Sequence, residues 1–391
     1  MRIAIFTDAF LPYISGVVTA TLNLAKGLAD RGHEVHIIAP KYGKSEKFIY
    51  PNIIVKRIPS IPVPMYKDFR LAILPNPGLV RYIIENRIDL MHFQTPSPLG
   101  NEAVHISKLL KKPLVGTFHT FFEDQDIIKI LGLNKNHLFD KLSWAYLRSY
   151  YDKCDLITCP SESTKKSLLA HRFKQPIKVI SNGFDCRIFD NRNYKKIKKK
   201  YNPNGKLLLF VGRIAYEKNI DFLIDSFSIV KNELPGTKLL IVGSGPQMKH
   251  VKKKISSLKM AKDVILAGSI PHDKLVKSSI YKACDLFVTA SKTENQPMTI
   301  LEAQANGMAC VGLKKRGIPD LVKDGFNGIV VPVENRKKFA EAIIRVLKNK
   351  ALLNRMRKNT LLEARKHKLP HVIDEWEQTY IELIGKRKAK S

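Results

Sequence analysis

The segment LLLFVGRIAYEKNIDFLIDSFSIVK, residues 207–231, decides the fold class of this chain. It opens with a uniformly apolar run, which is typical of a strand buried on both faces. A turn containing Gly212 follows, and apolar residues then recur at helical spacing through residues 219–232. A second apolar run at residues 238–242 repeats the strand pattern. Strand, helix and strand in this order predict a unit of parallel α/β structure.

The same alternation extends through both halves of the chain. In the second half, further strands are predicted at residues 264–267, 286–289, 309–312 and 328–331. In the first half, strands are predicted at residues 3–6, 34–39, 53–58, 90–93, 114–117, 156–160 and 178–181. Helical patterns separate most of these runs, so we expect an α/β protein with two doubly wound parallel sheets. Ligands bind beyond the carboxyl ends of strands in such sheets, and two facing sheets would share a central cleft.

The length of the chain also indicates two domains. It has 391 residues, whereas a single core rarely grows beyond about 250–300 residues. Residues 191–205 are rich in Lys and Asn and contain Pro203, which is typical of a linker. We therefore expect an N-terminal domain over residues 1–190 and a C-terminal domain over residues 206–370.

The composition is strongly basic. Lys and Arg number 67 against 35 Asp and Glu, a formal charge of +32. This charge favours an anionic partner, such as a phospholipid surface, a nucleic acid or a phosphorylated ligand. Asp8 interrupts the first apolar run too early for a signal peptide, no apolar run approaches the length of a membrane span, and no CxxC pair occurs. We expect a cytoplasmic protein, or one bound peripherally to the cytosolic face of a membrane.

Two cations flank a predicted strand-to-helix turn in the second half. Arg213 lies just beyond the strand, and Lys218 lies at the start of the helix. A planar guanidinium and an ammonium at this spacing can converge on one diphosphate. In isolation, the pair also fits two solvated cations of a lysine-rich protein.

The segment SKTENQPMTILEA, residues 291–303, follows another predicted strand. Glu294 is expected in a loop, and Glu302 in the first turn of a helix, where the helix dipole favours an anion. Backbone N–H groups between them could receive a phosphate, while the carboxylates accept hydrogen bonds from sugar hydroxyls. The segment could thus hold a nucleotide sugar at three points. Taken alone, it also fits an ordinary acidic helix start.

Together these motifs resemble the signature of glycosyltransferase family 4. The pattern S-x2-E-x7-E-A-x-A-x-G is preceded by G-R-x4-K. GSGP at residues 243–246 resembles the G-x-G-P turn of that family, and SNGFD at residues 181–185 resembles its N-G-x-D segment. The resemblance covers nearly the whole chain. It implies the GT-B fold, in which an acceptor-binding and a nucleotide-sugar-binding Rossmann-like domain face a central cleft, and a last helix, here residues 371–391, returns to the first domain.

The resemblance implies roles for residues of the second half. Arg213 and Lys218 would bind the pyrophosphate and stabilise its charge as it leaves. Glu302 would hold the ribose hydroxyls, and Glu294 would contact hydroxyls of the donor sugar. The other implied donor-binding residues, of which Ile270 and the glycine turn would border the base, are Gly212, Gly243, Gly245, Ile270, Asn295, Gln296, Pro297, Met298 and Thr299.

The resemblance also assigns residues of the first half. Gly16 would let the backbone approach the donor closely. His119, after a predicted strand, would lie near the anomeric carbon and face the acceptor. Asp8 and Asp124 would lie on the acceptor side. The implied catalytic set is His119 with Arg213, Lys218 and Glu294 from the second half.

Family 4 enzymes retain the anomeric configuration, and the resemblance implies the same here. A retaining hydrolase needs two carboxylates flanking the scissile bond, and the sequence suggests no such pair. The implied route is front-face attack, with the leaving diphosphate taking the acceptor proton. No Asp-x-Asp motif lies near the donor elements, so we expect neither a metal nor a cofactor.

Three segments resemble the branch of the family that glucosylates diacylglycerol: RIPSIP at residues 57–62, Lys67-Asp68, and TENQ at residues 293–296. This implies UDP-glucose as donor and a membrane lipid as acceptor, which suits a basic protein on an anionic surface. The apolar segment 127–144, with interspersed Lys, could dip into that interface, although it fits a helix packed on the sheet equally well.

Three other functions stay open. One is a transferase using GDP-mannose or another donor and acting on a phosphoinositide, an isoprenoid-linked or a soluble glycan acceptor. Another is a protein that binds a sugar nucleotide without catalysis. The third is a nucleic-acid-binding protein that uses the same charge. We do not expect nucleic acid as the partner, since it would leave the donor motifs unexplained.

Overall fold

The chain divides into two compact units. The computed structural model describes residues 1–13, 15–43, 48–63, 66–119 and 137–389, and the side chains of all of these except 66–68 and 137–140. The first unit holds the described residues from Met1 to Gly183 and those from Leu369 onward. The second unit holds Phe184–Lys368.

The first unit is built on a parallel sheet with one added hairpin. Its strands are β1 (Arg2–Phe6), β2 (Glu34–Pro40), β3 (Ile53–Ile58), β4 (Ser60–Val63), β5 (Tyr66–Ala72), β6 (Leu90–Phe93), β7 (Leu114–Thr117), β8 (Leu156–Cys159) and β9 (Ile177–Val179). The helices between them are α1 (Gly16–Ala29), α2 (Pro77–Glu85), α3 (Pro98–Leu110), α4 (His137–Tyr151) and α5 (Glu162–Ala170). The parallel sheet has the order β3-β2-β1-β6-β7-β8-β9.

Alternate residues of β1 face opposite sides of this sheet. Ile3 and Ile5 pack in one cluster with Leu24 of α1. Ala4 and Phe6 pack in the opposite cluster with Leu99 of α3. Successive side chains of a strand point to opposite faces, so an unbroken apolar run requires cover on both sides. The predicted parallel α/β structure of the first half is confirmed.

The hairpin of β4 and β5 is a feature that the sequence pattern does not predict. The two strands pair with each other antiparallel, apart from the main sheet. Residues 60–72 read SIPVPMYKDFRLA, in which prolines and polar residues interrupt every apolar run. A strand with this composition lacks the signal of a buried parallel strand, and Pro62 is tolerated because the pair is isolated from the sheet.

The second unit repeats the doubly wound design. Its strands are β10 (Leu207–Val211), β11 (Lys238–Val242), β12 (Val264–Gly268), β13 (Leu286–Thr289), β14 (Cys310–Leu313) and β15 (Gly328–Val331). Its helices are α6 (Tyr194–Tyr201), α7 (Ile220–Glu233), α8 (Met248–Ser257), α9 (His272–Lys277), α10 (Ile280–Ala283), α11 (Met298–Ala305), α12 (Ile318–Leu321), α13 (Arg336–Lys348) and α14 (Lys350–Ala364). All strand pairs are parallel, in the order β12-β11-β10-β13-β14-β15.

Residues 191–205, which the composition predicts to be a linker, contain the helix α6. Ile197 and Tyr201 pack on the core of the second unit. The Nζ of Lys198 donates a hydrogen bond to the Asp285 carboxylate at 2.5 Å. The apolar and ionic contacts of one face therefore attach this segment to the second unit, although four of its lysines are exposed to solvent.

The last helix, α15 (Leu369–Lys388), belongs to the first unit. It lies against α1, where a Cβ added to Gly27 would lie 2.4 Å from the Ile373 side chain. Trp376 and Tyr380 are buried in the same cluster as β1. No helix in the described part of the chain combines the length and apolar character needed to cross a bilayer.

Candidate functional site

The two donor motifs lie side by side where the strand order of the second sheet reverses. Strand β10 pairs with β11 on one side and with β13 on the other. Residues 212–219 follow β10, and residues 290–297 follow β13. Because these strands are parallel, both loops leave the same edge of the sheet. In doubly wound sheets, ligands bind in the crevice at this reversal point.

Lys218 and Glu294 form an ion pair that joins the two loops. The Lys218 Nζ donates to the Glu294 Oε1 at 2.6 Å, although the residues are 76 positions apart. Both side chains are largely buried, with 19% and 17% of their surface exposed. The backbone carbonyl of Glu217 also accepts from the Lys292 N–H at 2.9 Å. Arg213 lies exposed on the same loop as Lys218.

The ends of β10 and β11 approach each other through three glycines. A Cβ added to Gly243 would lie 1.9 Å from the Gly212 carbonyl oxygen, and one added to Gly245 would lie 2.4 Å from the Ile214 oxygen. Gly243 has a φ of +148°, a value that strains other residues. The Ile214 N–H donates to the Ser244 carbonyl at 2.9 Å. This contact keeps the loop that carries Arg213 close to the G-x-G-P turn.

The residues after Glu294 form a buried turn that leads into α11. Asn295 and Gln296 are buried, Pro297 takes the N-cap position, and Met298 opens the helix. Thr299 is partly exposed. The first N–H groups of a helix have no acceptor within it, and the helix dipole adds positive potential there. The helix start therefore suits a phosphate, as the sequence predicts.

Gly317 fixes this turn from the other side. Its N–H donates to the Glu294 carbonyl at 2.8 Å. A Cβ on Gly317 would lie 1.8 Å from the Asn295 carbonyl oxygen, so only glycine fits. Ile270 lies two residues beyond β12 and is partly buried against the core beneath the site.

Glu302 lies in the second turn of α11, not in the first turn as the sequence predicts. The helix begins at Met298 because Pro297 takes the N-cap position. The helix dipole acts mainly within the first turn, so it is not what holds this carboxylate. Instead, the His272 Nε2 lies 2.7 Å from Oε1, and the Tyr281 hydroxyl donates to Oε2.

The Glu302 carboxylate is therefore a buried group with partners from two neighbouring helices. Its side chain is 4% exposed, whereas that of His272 is 34% exposed. Burial, together with the adjacent Glu302 charge, raises the pKa of Tyr281 well above its usual value, so this hydroxyl stays protonated and donates.

In the first unit, Asp8 is fully buried and its carboxylate holds the backbone. Its oxygens accept from the Ala72 and Leu99 N–H groups, both at 3.0 Å, and from the Ser97 hydroxyl. Burial raises the pKa of Asp8, and these hydrogen bonds oppose that rise. The position expected to meet the acceptor thus ties the loop after β1 to the elements around it, with no exposed carboxylate.

His119 follows β7 and is held by a buried polar network. Its Nε2 lies 2.7 Å from the Gln94 Oε1. A carboxamide oxygen only accepts, so Nε2 carries the proton. The Gln94 side-chain nitrogen lies 3.0 Å from the His92 Nε2, and the His92 Nδ1 lies 2.7 Å from the Tyr380 hydroxyl. Burial lowers the pKa of His119 to about 4, so the ring is neutral at pH 7.

Gly16 begins α1 and is exposed. The Ser15 hydroxyl caps this helix by accepting from the Val18 N–H at 3.3 Å. Asp124, expected on the acceptor side, lies outside the described residues, as does most of the segment 127–144 interpreted as a membrane contact.

The sequence reasoning missed the partners of the site residues. His272 and Tyr281 hold Glu302, and Gln94 holds His119. A signal was present for two of them. Gln94 directly follows the predicted strand 90–93, and His272 lies in the segment that follows the predicted strand 264–267; polar side chains meet beyond the strand ends of parallel sheets. Tyr281 carries no such signal, because its hydroxyl meets Glu302 only through the packing of α10 on α11.

Acidic, histidine and cysteine side chains gather at no point where three could hold a metal ion, within the ranges that the structure describes. The charged side chains of residues 212–219 and 290–297 are the cations Arg213, Lys218 and Lys292 and the carboxylates Glu217 and Glu294.

Two family models match consecutive parts of the chain. Residues 14–187 match the model described as Glycosyltransferase Family 4. Residues 191–362 match the model described as Glycosyl transferases group 1.

Curated relatives match over most of their length. An alpha-monoglucosyldiacylglycerol synthase of Streptococcus pneumoniae (strain ATCC BAA-255 / R6) is 30% identical over 357 residues, 89% of this chain and 78% of the relative. A protein of the same name from Acholeplasma laidlawii is 28% identical over 401 residues, 100% of this chain and 99% of the relative. A GDP-mannose-dependent alpha-mannosyltransferase of Corynebacterium glutamicum is 27% identical, over 88% of this chain and 79% of the relative.

The fold has solved counterparts. The Anabaena protein HepE, crystallised in complex with UDP and glucose, superposes with a TM-score of 0.77 at 17% identity and covers 98% of this chain and 100% of its own. This likeness establishes the fold alone. With both family models and the relatives, it shows that the chain belongs to glycosyltransferase family 4 and has the GT-B fold.

Proposed function

We propose that this protein transfers glucose from UDP-glucose to the hydroxyl of a membrane lipid such as 1,2-diacylglycerol, with retention of the anomeric configuration. The observation that carries the donor part is the Lys218–Glu294 pair at the reversal point of the second sheet. It holds a cation and a hydroxyl-accepting carboxylate 2.6 Å apart. The names of two relatives, both glucosyldiacylglycerol synthases, support the choice of sugar and acceptor.

Arg213 and Lys218 bind the diphosphate in this proposal. Arg213 is exposed and can present its planar fork, and Lys218 adds a point charge from the same loop. The N–H groups at the start of α11 supply further donors. Fixed cations of this kind stabilise the negative charge that grows on the leaving diphosphate, which is where electrostatic catalysis is most effective.

Glu294 and Glu302 recognise hydroxyls. An ionised carboxylate offers about four acceptor positions. Lys218 occupies one on Glu294, so others stay available for hydroxyls of the donor sugar. Glu302 accepts from the ribose, while Ile270 and the turn at Gly243 and Gly245 border the base.

His119 and Gly16 serve the donor sugar and the acceptor in this proposal. A neutral His119 can hydrogen-bond a sugar hydroxyl without adding a cation beside the anomeric carbon. In the proposed step, the acceptor oxygen bonds to the anomeric carbon as the bond to the diphosphate oxygen breaks on the same face. The leaving diphosphate takes the acceptor proton. Because the acceptor oxygen bonds directly to the anomeric carbon, no protein carboxylate forms a covalent intermediate.

The charge of the chain supports a membrane surface as partner. A formal charge of +32 attracts anionic lipid, and each Lys or Arg near such a surface contributes about 1 kcal/mol. Around the hairpin of β4 and β5, Ile61 and Ile73 have 55% and 51% of their surface exposed. Exposed apolar side chains on a basic protein favour peripheral binding.

A second candidate is mannosyl transfer from GDP-mannose. It is supported by the mannosyltransferase among the relatives, at 27% identity against 28% and 30% for the two glucosyldiacylglycerol synthases. The pyrophosphate and ribose contacts would serve either donor, because UDP and GDP share those groups.

The test is a comparison of donors and acceptors on the purified full-length chain. Thermal stabilisation by UDP, GDP and ADP identifies the base. Turnover is then measured with UDP-glucose and with GDP-mannose, each with diacylglycerol vesicles, and the anomeric proton of the product is assigned by NMR. We expect UDP stabilisation and an α-glucosyl lipid. Turnover with GDP-mannose alone would favour the second candidate, and a β-linked product would exclude retention.

A further inference from the structure

The residues around Glu302 form a cluster that the sequence motifs do not contain. His272 opens α9, Tyr281 lies in α10, and Glu302 lies in α11. The side chains of His272 and Tyr281 reach one oxygen each of the same carboxylate. Tyr281 is almost completely buried, whereas His272 is partly exposed. His272 and Tyr281 thus hold the carboxylate from two sides, and we call these two contacts the clamp. The His272 edge of the cluster faces solvent.

The number of acceptor positions on this carboxylate fits a diol. Two carboxylate oxygens carry about four acceptor positions. His272 takes one on Oε1, and Tyr281 takes one on Oε2. One position stays on each oxygen, which matches the two adjacent hydroxyls of a ribose. A free glutamate would lose rotamer entropy on binding, whereas a clamped one has lost it on folding.

We propose that His272 and Tyr281 are positioning residues that hold the Glu302 carboxylate in the orientation that accepts both ribose hydroxyls. This inference rests on the proposed function, in which Glu302 binds the ribose of the donor. As a consequence, the site selects ribonucleoside diphosphates over their 2′-deoxy counterparts. This selection depends on the contacts of His272 and Tyr281 with the Glu302 carboxylate.

The test measures selectivity and not affinity alone. Dissociation constants for UDP and 2′-deoxyuridine diphosphate are measured by calorimetry on the full-length protein, or for the guanosine pair if GDP binds more tightly. Hydrogen bonds to charged groups support a preference of about tenfold or more for the ribonucleotide in the wild type. We expect this ratio to fall below about threefold in His272→Leu and in Tyr281→Phe, since either change frees one carboxylate oxygen.

Two further variants separate positioning from general damage. His272→Gln keeps an N–H donor at similar reach and should restore most of the ratio. His250→Leu is the matched control, because His250 lies 2.6 Å from the carboxylate of Asp221 in an exposed pair of the same unit. It should keep the wild-type ratio. Thermal unfolding of each variant reports whether it folds. If His272→Leu does not fold, Tyr281→Phe provides the test, because it removes only a hydroxyl.

The possible outcomes are distinguishable. If His272→Leu and Tyr281→Phe weaken both nucleotides equally and leave the ratio unchanged, the clamp is structural and the inference is wrong while the donor assignment stands. If the wild type binds UDP without preferring the ribonucleotide, the ribose role of Glu302 fails, and the inference fails with it. If the wild type binds none of the nucleotides, the proposed function itself is overturned.

Discussion

Gly243 approaches the backbone of Gly212 so closely that an added Cβ would lie 1.9 Å from the Gly212 carbonyl oxygen. The two residues directly follow the neighbouring strands β10 and β11, and their contact brings together the loops at the edge that carries Arg213 and Lys218. A side chain at Gly243 must therefore push the two loops apart. The φ of +148° adds backbone strain to this clash.

We expect Gly243→Ala to destabilise the second unit by more than about 1 kcal/mol and to abolish UDP stabilisation. At the size of this unit, that loss corresponds to at least about 2–4 °C in the unfolding midpoint, measured by calorimetry. Gly385→Ala is the matched control, because no atom lies within 4 Å of an added Cβ there. Its midpoint should be unchanged or slightly higher. A Gly243→Ala protein with normal stability and normal UDP binding would contradict the role of this contact.

Lys218→Ala should lower kcat/KM by about 100-fold to 1,000-fold, as expected when a group that stabilises charge in the transition state is removed. The control is Lys254→Ala. Lys254 pairs with Asp225 at 2.8 Å with 20% of its side chain exposed, against 19% for Lys218. Loss of this second ion pair should leave kcat/KM within about threefold of the wild type. Equal losses of kcat/KM in both variants would mean that Lys218 affects turnover only by stabilising the fold.

We expect the reaction to need no divalent metal, because Arg213 and Lys218 supply the positive charge at the diphosphate. Initial rates are compared before and after dialysis against EDTA, and again after Mg²⁺ or Mn²⁺ is added back. The rates should agree within experimental error. Loss of turnover with EDTA and its recovery with metal would show that the fixed cations are insufficient.

His119 should make the first unit less stable as the pH falls. Its folded pKa is about 4, and the pKa of an unfolded histidine is about 6.5. Below pH 6.5 the unfolded chain therefore takes up a proton that the folded protein does not, and stability falls between about pH 6.5 and pH 4. The buried His92, whose pKa is also lowered by burial, acts in the same direction in the first unit, and the partly buried His367 does so in the second unit.

The variant His119→Gln should show a smaller drop in unfolding midpoint between pH 7 and pH 5 than the wild type. The exposed His371, changed to Gln, serves as the control and should keep the wild-type drop. If His119→Gln loses as much stability as the wild type over this range, the ring is not held neutral by burial.

Much of the fold follows from local patterns. The strands at 53–58, 90–93, 114–117, 207–211, 238–242, 286–289 and 328–331 have the predicted bounds. Five of them are almost entirely buried apolar runs, as expected for strands covered on both faces, whereas the edge strands at 53–58 and 328–331 are half-buried. Strand β9 differs: it spans Ile177–Val179 instead of 178–181, and its residues are only partly buried. Lys178 interrupts the apolar pattern of this strand, so its ends are harder to locate from the sequence.

The sequence by itself determined the parallel α/β architecture, the family, and the spacing of the charged residues in the donor motifs. Only the tertiary structure decided their partners: Lys218 with Glu294, Glu302 with His272 and Tyr281, and Asp8 with backbone N–H groups. The physical reason is the sequence separation over which each kind of interaction acts. Apolar periodicity acts over a few residues and is written in the local sequence, whereas a hydrogen bond across 76 positions exists only after neighbouring strands bring their carboxyl ends together.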